Sequence, residues 1–225
     1  MVINREELYR RQTDLFDPNS LDSESTVHVF GCGSIGSFTV IGLAKLGIHN
    51  VVLYDFDSVE LHNVANQFFR EQDVDSTKTF AVEKLAREFS PTVSVITREG
   101  KIDENTELLF NDGDIIILAF DNLVARKIVY DKAIASGKKL SLIDGRMGGE
   151  LLRVYTFSEL KPSAEYEKSL TTEVEHVICS ARSICYNGIT ISGIITSLVK
   201  KILLKQSVPS EINFSLTNYD FFKVD

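Results

Sequence analysis

The chain is short of several things at once. Its 225 residues include three cysteines, Cys32, Cys179 and Cys185. The odd number and uneven spacing exclude a disulfide scaffold, and without a Cys-x-x-Cys pair three thiols cannot build a four-cysteine zinc site. The histidines His28, His49 and His62 do not cluster with cysteines at ligand spacing. Four prolines and no low-complexity segment leave little room for long disordered linkers. Basic residues are in deficit, 24 Lys and Arg against 32 Asp and Glu, for a net charge of −8. Neutralising a phosphate backbone needs the reverse balance, so no broad nucleic-acid-binding face is expected. The most apolar late stretch, Gly188–Leu204, is interrupted by Thr, Ser and two lysines. It falls short of the roughly 20 apolar residues that a membrane span requires. The opening MVINREELYRRQ is charged and lacks a signal-peptide core. These absences predict a reducing, cytoplasmic setting.

What is present suits one globular unit. Hydrophobic residues make up 44% and charged residues 25%, and a chain of this length buries a core without staples. Apolar periodicity alternates between strand and helix. Val27–Phe30, Val51–Asp57, Thr92–Glu99, Asp114–Phe120 and Lys139–Gly145 read as strands. Ser34–Leu46, Thr77–Phe89 and Asn122–Ser136 read as the helices between them. Glu150–Phe157 alternates as an antiparallel strand would. Glu159 to Cys185 is polar and without period, a long crossing loop of the kind that is more often functional than idle. A helix over Gly188–Leu204 and a short strand in EINFSL follow. This order predicts an α/β fold: a doubly wound, Rossmann-like, mostly parallel sheet with helices on both faces and antiparallel strands at one end.

The segment GCGSIG after the first strand fits Gly-x-Gly-x-x-Gly. Gly31 permits the tight turn, Gly33 lets backbone approach a phosphate, and Gly36 lets helix and strand pack closely. The N–H groups opening the helix then face an anion. Asp55 lies 19 residues past Gly36, at the end of the second strand, where a ribose hydroxyl would sit. A glycine turn needed only for packing is the competing explanation. The motif suits a dinucleotide as well as ATP. Domain boundaries follow as one domain over residues 1–225: a helical arm 1–24, a nucleotide-binding core 25–157, a crossover loop 158–187 and a terminal helix and strand 188–225.

YDFDSVELHNVANQFFRE (Tyr54–Glu71), LAFDNLVARK (Leu118–Lys127), Lys78 opening a helix, GRMGGELLRVYTF (Gly145–Phe157) and the early YRRQ resemble the ThiF/MoeB/HesA family, which activates ubiquitin-like proteins. The resemblance implies ATP-dependent adenylation of the C-terminal carboxylate of a small β-grasp protein ending in Gly-Gly, with Mg²⁺ as cofactor and a homodimer as assembly. It assigns Asp55 to the ribose beside its pair Asp57, and Lys78, Asn63 and Gln67 to the surroundings of the phosphates. Asp121, followed by Asn122, is assigned to Mg²⁺, a hard cation that takes oxygen ligands. Arg11 reaches the partner subunit's site, and Cys179, flanked by His176 and Arg182, takes the activated acyl group, with Cys185 the second candidate. Each has a plain alternative. Asp121–Asn122 caps a helix, Lys78 is a surface lysine, Arg11 is surface charge, and the cysteines are structural, as Cys32 is expected to be.

Two departures from the family pattern stand out. Asn66 occupies the place of the arginine in Asn-x-x-Arg-Gln, removing a charge where pyrophosphate leaves, with Arg70 the nearest substitute. The paired Cys-x-x-Cys motif is absent, which points to a small zinc-free branch. Two further functions stay open: a non-catalytic subunit of a heterodimeric activating enzyme, which Asn66 favours, and an NAD-dependent oxidoreductase using the same glycine loop.

Overall fold

The computed structural model describes residues 4–21, 25–171 and 184–224. Eight strands form one sheet: β1 (Thr26–Phe30), β2 (Asn50–Tyr54), β3 (Ser94–Arg98), β4 (Ile115–Leu118), β5 (Ser141–Gly148), β6 (Leu151–Phe157), β7 (Glu211–Ser215) and β8 (Asp220–Val224). Their spatial order is β3-β2-β1-β4-β5-β6-β7-β8. The first five pair in parallel and the last four antiparallel. Strand order reverses between β1 and β4, and a crevice at such a reversal is where this class of sheet binds ligands.

The parallel strands read as continuous apolar runs because both faces are covered. All four residues of β4, Ile-Ile-Ile-Leu, are buried. Alternate residues feed two cores. Val29, Leu53, Ile117 and Val154 face α2 (Gly36–Leu46), α3 (Lys78–Phe89) and a long terminal helix. Phe30, Val52, Leu118 and Leu142 face α4 (Leu123–Ala135) and α5 (Ala164–Ser169). The long helix is α6 (Cys185–Leu203), while α1 (Arg5–Tyr9) lies ahead of the sheet with Tyr9 buried.

The α/β class and its antiparallel end are as expected. The differences lie at the ends of elements. The second strand stops at Tyr54, because the Asp55 carboxylate takes up backbone N–H groups and the chain turns out of the sheet. The N-terminal arm is one five-residue helix, then turns and a 3-10 turn at Pro18–Ser20. The stretch expected to be loop from Glu159 contains α5, whose first turn is capped by the Ser163 hydroxyl accepting from Tyr166 N at 3.3 Å. The last helix begins at Cys185 rather than Gly188. There the Asn187 side chain donates to the carbonyl of Gly149 and ties its first turn to the β5–β6 hairpin. The edge strand β8 was not anticipated.

Helix α6 lies against α2 through small residues. Ser192 Oγ donates to Ile35 O at 2.8 Å and meets Thr39 Oγ1 at 3.0 Å. A Cβ on Gly188 would overlap Ser34 O, whereas one on Gly193 would meet nothing within 4 Å. The two glycines therefore respond oppositely to alanine. Gly193→Ala should stabilise by about 0.5–1 kcal/mol through a less mobile unfolded chain and a better helix former. Gly188→Ala should destabilise by about 1–3 kcal/mol through overpacking. Urea unfolding of both variants measures the difference, and equal effects would contradict the close α2–α6 approach.

Candidate nucleotide site

The glycine loop is shaped by three separate demands. Gly31 has φ +97°, and a Cβ there would lie 2.7 Å from Phe120 N. A Cβ on Gly36 would overlap Gly31 O. Gly33 differs: its Cβ would meet only Gln67 Oε1, at 3.9 Å. Packing therefore explains the first and third glycines but not the second, whose open side suits close approach by a ligand. Helices α3 and α4 carry side-chain caps from Thr77 and Asn122, whereas α2, rising from this loop, carries none. An uncapped helix N-terminus favours an anion.

Asp55 organises the adjoining wall. Its Oδ2 accepts from Cys32 N at 2.6 Å, and its Oδ1 accepts from Asp57 N at 2.9 Å. Burial pushes its carboxyl above the usual value, against the pull of those two N–H groups and of Lys78. Asp57 is half-exposed and accepts from Lys78 Nζ at 2.8 Å, so the buried Lys78 is no loose surface lysine. Cys32 is fully buried, and burial together with Asp55 raises its thiol far enough to keep it protonated and inert. This agrees with its expected packing role.

One cleft brings together Gly31, Asp55, Asp57, Asp121 and Asn122, with Phe56 and Lys101 facing each other at its mouth. The side chain of Asn122 caps α4 by accepting from Ala125 N at 3.0 Å, which leaves the exposed Asp121 beside the cleft. The Asn63–Gln67 turn borders Gly33. Asn63 is buried with its oxygen taken by Glu60 N at 2.9 Å. The side-chain oxygens of Asn66 and Gln67 are buried and accept no hydrogen bond from the described residues. Such orphaned groups fit a site whose ligand supplies the missing partners.

Two residues named from the sequence, Arg70 and Arg11, stand apart from the cleft. Arg70 does not replace the missing arginine: it pairs with Asp73 at 2.9 Å and Glu88 at 3.0 Å. Arg11 is exposed in the turn after α1, where Gln12 Nε2 donates to Leu46 O at the C-terminal end of α2. The glycine loop is at the other end of that 11-residue helix, about 16 Å away. Cys179, with His176 and Arg182, lies outside the described residues, and Cys185 is the first residue of α6. Among the described residues no group of three or more His, Cys, Asp or Glu is placed to hold a metal, so Asp121 has no protein cage around it. Nor is any described helix long and apolar enough to cross a membrane.

A scan of protein families matches the ThiF family over residues 9–225. The chain belongs to the ThiF family. It is 30% identical over 118 residues to the adenylyltransferase and sulfurtransferase MOCS3 of Dictyostelium discoideum, covering 52% of this chain and 28% of that protein. It is 32% identical over 130 residues to the SUMO-activating enzyme subunit uba-2 of Caenorhabditis elegans, covering 56% and 22%. The matches thus span about a quarter of these relatives' length. Among solved structures, E. coli MccB with ATP superposes with a TM-score of 0.73 at 18% identity, over 92% of this ThiF-family chain and 65% of that one. PaaA gives 0.72 at 21%, over 100% and 74%.

Sequence reading missed two buried polar groups in this ThiF-family fold. His28 joins Asp114 Oδ2 at 3.1 Å and the Tyr54 hydroxyl at 3.2 Å, behind the cleft wall. Arg126, Asp144, Arg146 and Tyr166 form the second, all almost fully buried. Charged residues inside apolar runs such as SLIDGRMG were the available clue, since buried charge must be paired.

Asp114 yields a pH prediction. Burial alone would raise its carboxyl, but hydrogen bonds from His28 and from the N–H groups of Asn111 and Thr26 hold it below the ordinary 3.8. A depressed folded value means stability that is complete above about pH 4 and lost as pH falls through the folded value. Asp73, lowered by Arg70, acts with the same sign. Asp114→Asn should cost about 1–3 kcal/mol at pH 7 and flatten the acid limb of stability against pH. An unchanged acid limb in urea titrations would remove Asp114 from this role.

Proposed function

We propose that this chain adenylates the C-terminal carboxylate of a small ubiquitin-like or sulfur-carrier protein of β-grasp type, ending in Gly-Gly. One observation carries the reading: a single cleft gathers Gly31 of the glycine loop, the Asp55 and Asp57 pair, and Asp121 with Asn122, and the chain runs on from Gly31 into the open Gly33 turn and the uncapped end of α2. A carboxylate oxygen of the carrier attacks the α-phosphorus of ATP. The bond from that phosphorus to the bridging oxygen breaks, and pyrophosphate leaves. Catalysis of this kind is mostly positioning and charge screening. Asp55 accepts from the ribose hydroxyls, and the α2 amides with the Asn66 and Gln67 side chains line the phosphates. Lys78 turns from Asp57 toward them as a point charge. Asp121 would hold Mg²⁺ through oxygen, with the nucleotide supplying most other ligands, as is usual for this ion. Magnesium would screen the charge that grows on pyrophosphate. Arg11, at the far end of α2 from its own cleft, serves a second copy in a homodimer. Where transfer follows, the Cys179 thiolate attacks the acyl carbon of the adenylate and AMP leaves. A reaction that consumes ATP suits a cytoplasmic setting.

A second reading has its own support. Asn66 replaces a cation and Arg70 is committed to Asp73 and Glu88, so the chain is a candidate for the non-catalytic half of a heterodimeric activating enzyme.

Pyrophosphate exchange into ATP, with the carrier present, separates the two. Wild-type protein should exchange label, and Asp121→Ala should lose about 10²- to 10³-fold. Calorimetry should show MgATP binding and no NAD binding. Label that never enters ATP with the true carrier would sink the adenylation reading, and an unchanged Asp121→Ala rate would free that residue from the chemistry.

A further inference from the structure

Beside the cleft, where the C-terminal end of β4 lies against the middle of β5, is the buried cluster centred on Asp144. Leu118 and Asp144 are register partners there. The Asp144 carboxylate accepts from Arg126 at Oδ1, and at Oδ2 from Arg146 Nε at 2.9 Å and the Tyr166 hydroxyl at 2.8 Å. Arg126 also donates to Leu118 O at 3.3 Å and Gly145 O at 3.0 Å. Its guanidinium therefore ties the last residue of β4 to the middle of β5. Its Cζ stands 5.8 Å from the Phe120 ring centre. Phe120 lines the cleft beside Asp121, and its N is the atom a Cβ on Gly31 would meet first. On the other side, Arg146 holds the last turn of α5 through Ser169 O at 3.1 Å and Ser169 Oγ at 3.0 Å.

Such a cluster is poorly explained by stability alone. A buried ion pair gains little over well-packed apolar residues of the same volume. What charged, directional hydrogen bonds add is a fixed position. Burial pushes the Tyr166 phenol up to about 12, so it stays protonated as a donor.

We infer that Asp144 and Tyr166 are positioning residues for the nucleotide cleft: through Arg126 they fix the Leu118–Asn122 segment that presents Asp121. The inference rests on the nucleotide-binding reading above, but part of its test does not need activity. Tyr166→Phe removes one hydroxyl and keeps the ring, which packs against Tyr130, Tyr155 and Phe157. Tyr130→Phe is the comparator. It loses the hydrogen bond its hydroxyl accepts from Ser163 N and the one it donates to Glu167, and these do not involve Asp144.

Two measurements decide, both made well below the melting temperature. The first is hydrogen exchange in peptides covering residues 118–126. Tyr166→Phe should exchange at least about fivefold faster there, and Tyr130→Phe should match wild type. The second is pyrophosphate exchange: Tyr166→Phe should lower kcat about tenfold with KM for ATP within twofold, the pattern of an interaction that matters in the transition state, while Tyr130→Phe keeps both. Unchanged exchange at 118–126 in Tyr166→Phe, or equal changes in both variants, overturns the inference even in a protein without activity. A wild type that neither binds MgATP nor exchanges pyrophosphate overturns the adenylation reading instead, and leaves the hydrogen-exchange comparison to decide the positioning role.

Discussion

At Gly31 three parts of the chain meet with no room for a side chain. Its N–H donates to Tyr54 O at 2.8 Å, its carbonyl fills the space a Cβ on Gly36 would need, and its α-carbon faces the backbone of Phe120. β1 runs between β2 and β4, so the exits of all three strands are drawn to one point. The acids after β2 and Asp121 after β4 share a cleft because this junction is tight. A larger residue at Gly31 would need both positive φ and a displaced Phe120, and each is costly.

The two faces of the sheet hold that junction in different ways. Toward α2, α3 and α6 the packing is apolar and close, with small residues letting α6 lie on α2. Toward α4 and α5, polar struts run through the core. His28 links Asp114 to Tyr54 beneath the end of β2, and Arg126 links Asp144 to the end of β4 and the middle of β5. Hydrophobic contact drives burial but is non-directional. Hydrogen bonds to charged groups fix angle and register. The Arg126 strut meets β4 at the strand end beside the cleft, and the His28 strut runs from the start of β4 to Tyr54, which lines the cleft.

Much of this architecture is legible in the sequence because it is local. The glycine spacing after an apolar run, the acid 19 residues on and the alternation of strand and helix all depend on near neighbours. Elements that depend on distant partners were hidden. Helix α5 is six residues with four polar or charged among them, and it is held by Tyr166 reaching Asp144 rather than by an apolar stripe. β8 is a five-residue edge strand with every residue exposed, defined by its pairing with β7. Arg126 and Asp144 are 18 residues apart and meet only because α4 returns the chain to the sheet beside β4. The fate of Arg70 was also invisible: Asp73 lies within its own turn, but Glu88 arrives from the far end of α3.

Charge in the cleft carries the last step. Asp55, Asp57 and Asp121 line it, and its two lining or adjoining lysines are not equivalent: Lys78 is held by Asp57, while Lys101 stands 5.8 Å from the Phe56 ring at the mouth. Arg70 is turned to other carboxylates and Arg11 is at the far end of α2. A bare polyphosphate entering such a space would meet like charge at short range, where low dielectric makes repulsion strong. On the adenylation reading, a nucleotide therefore has to arrive already complexed with a cation. The phosphates must also compete with Asp57 for Lys78. That exchange would free the Asp57 carboxylate, already half-exposed, to turn outward to water, so phosphate binding and loss of the Asp57–Lys78 pair become one event. On the same reading, the arginine missing at Asn66 makes this coupling more important here than in a site with a spare cation, because the buried Lys78 is already paired to an acid of the cleft wall.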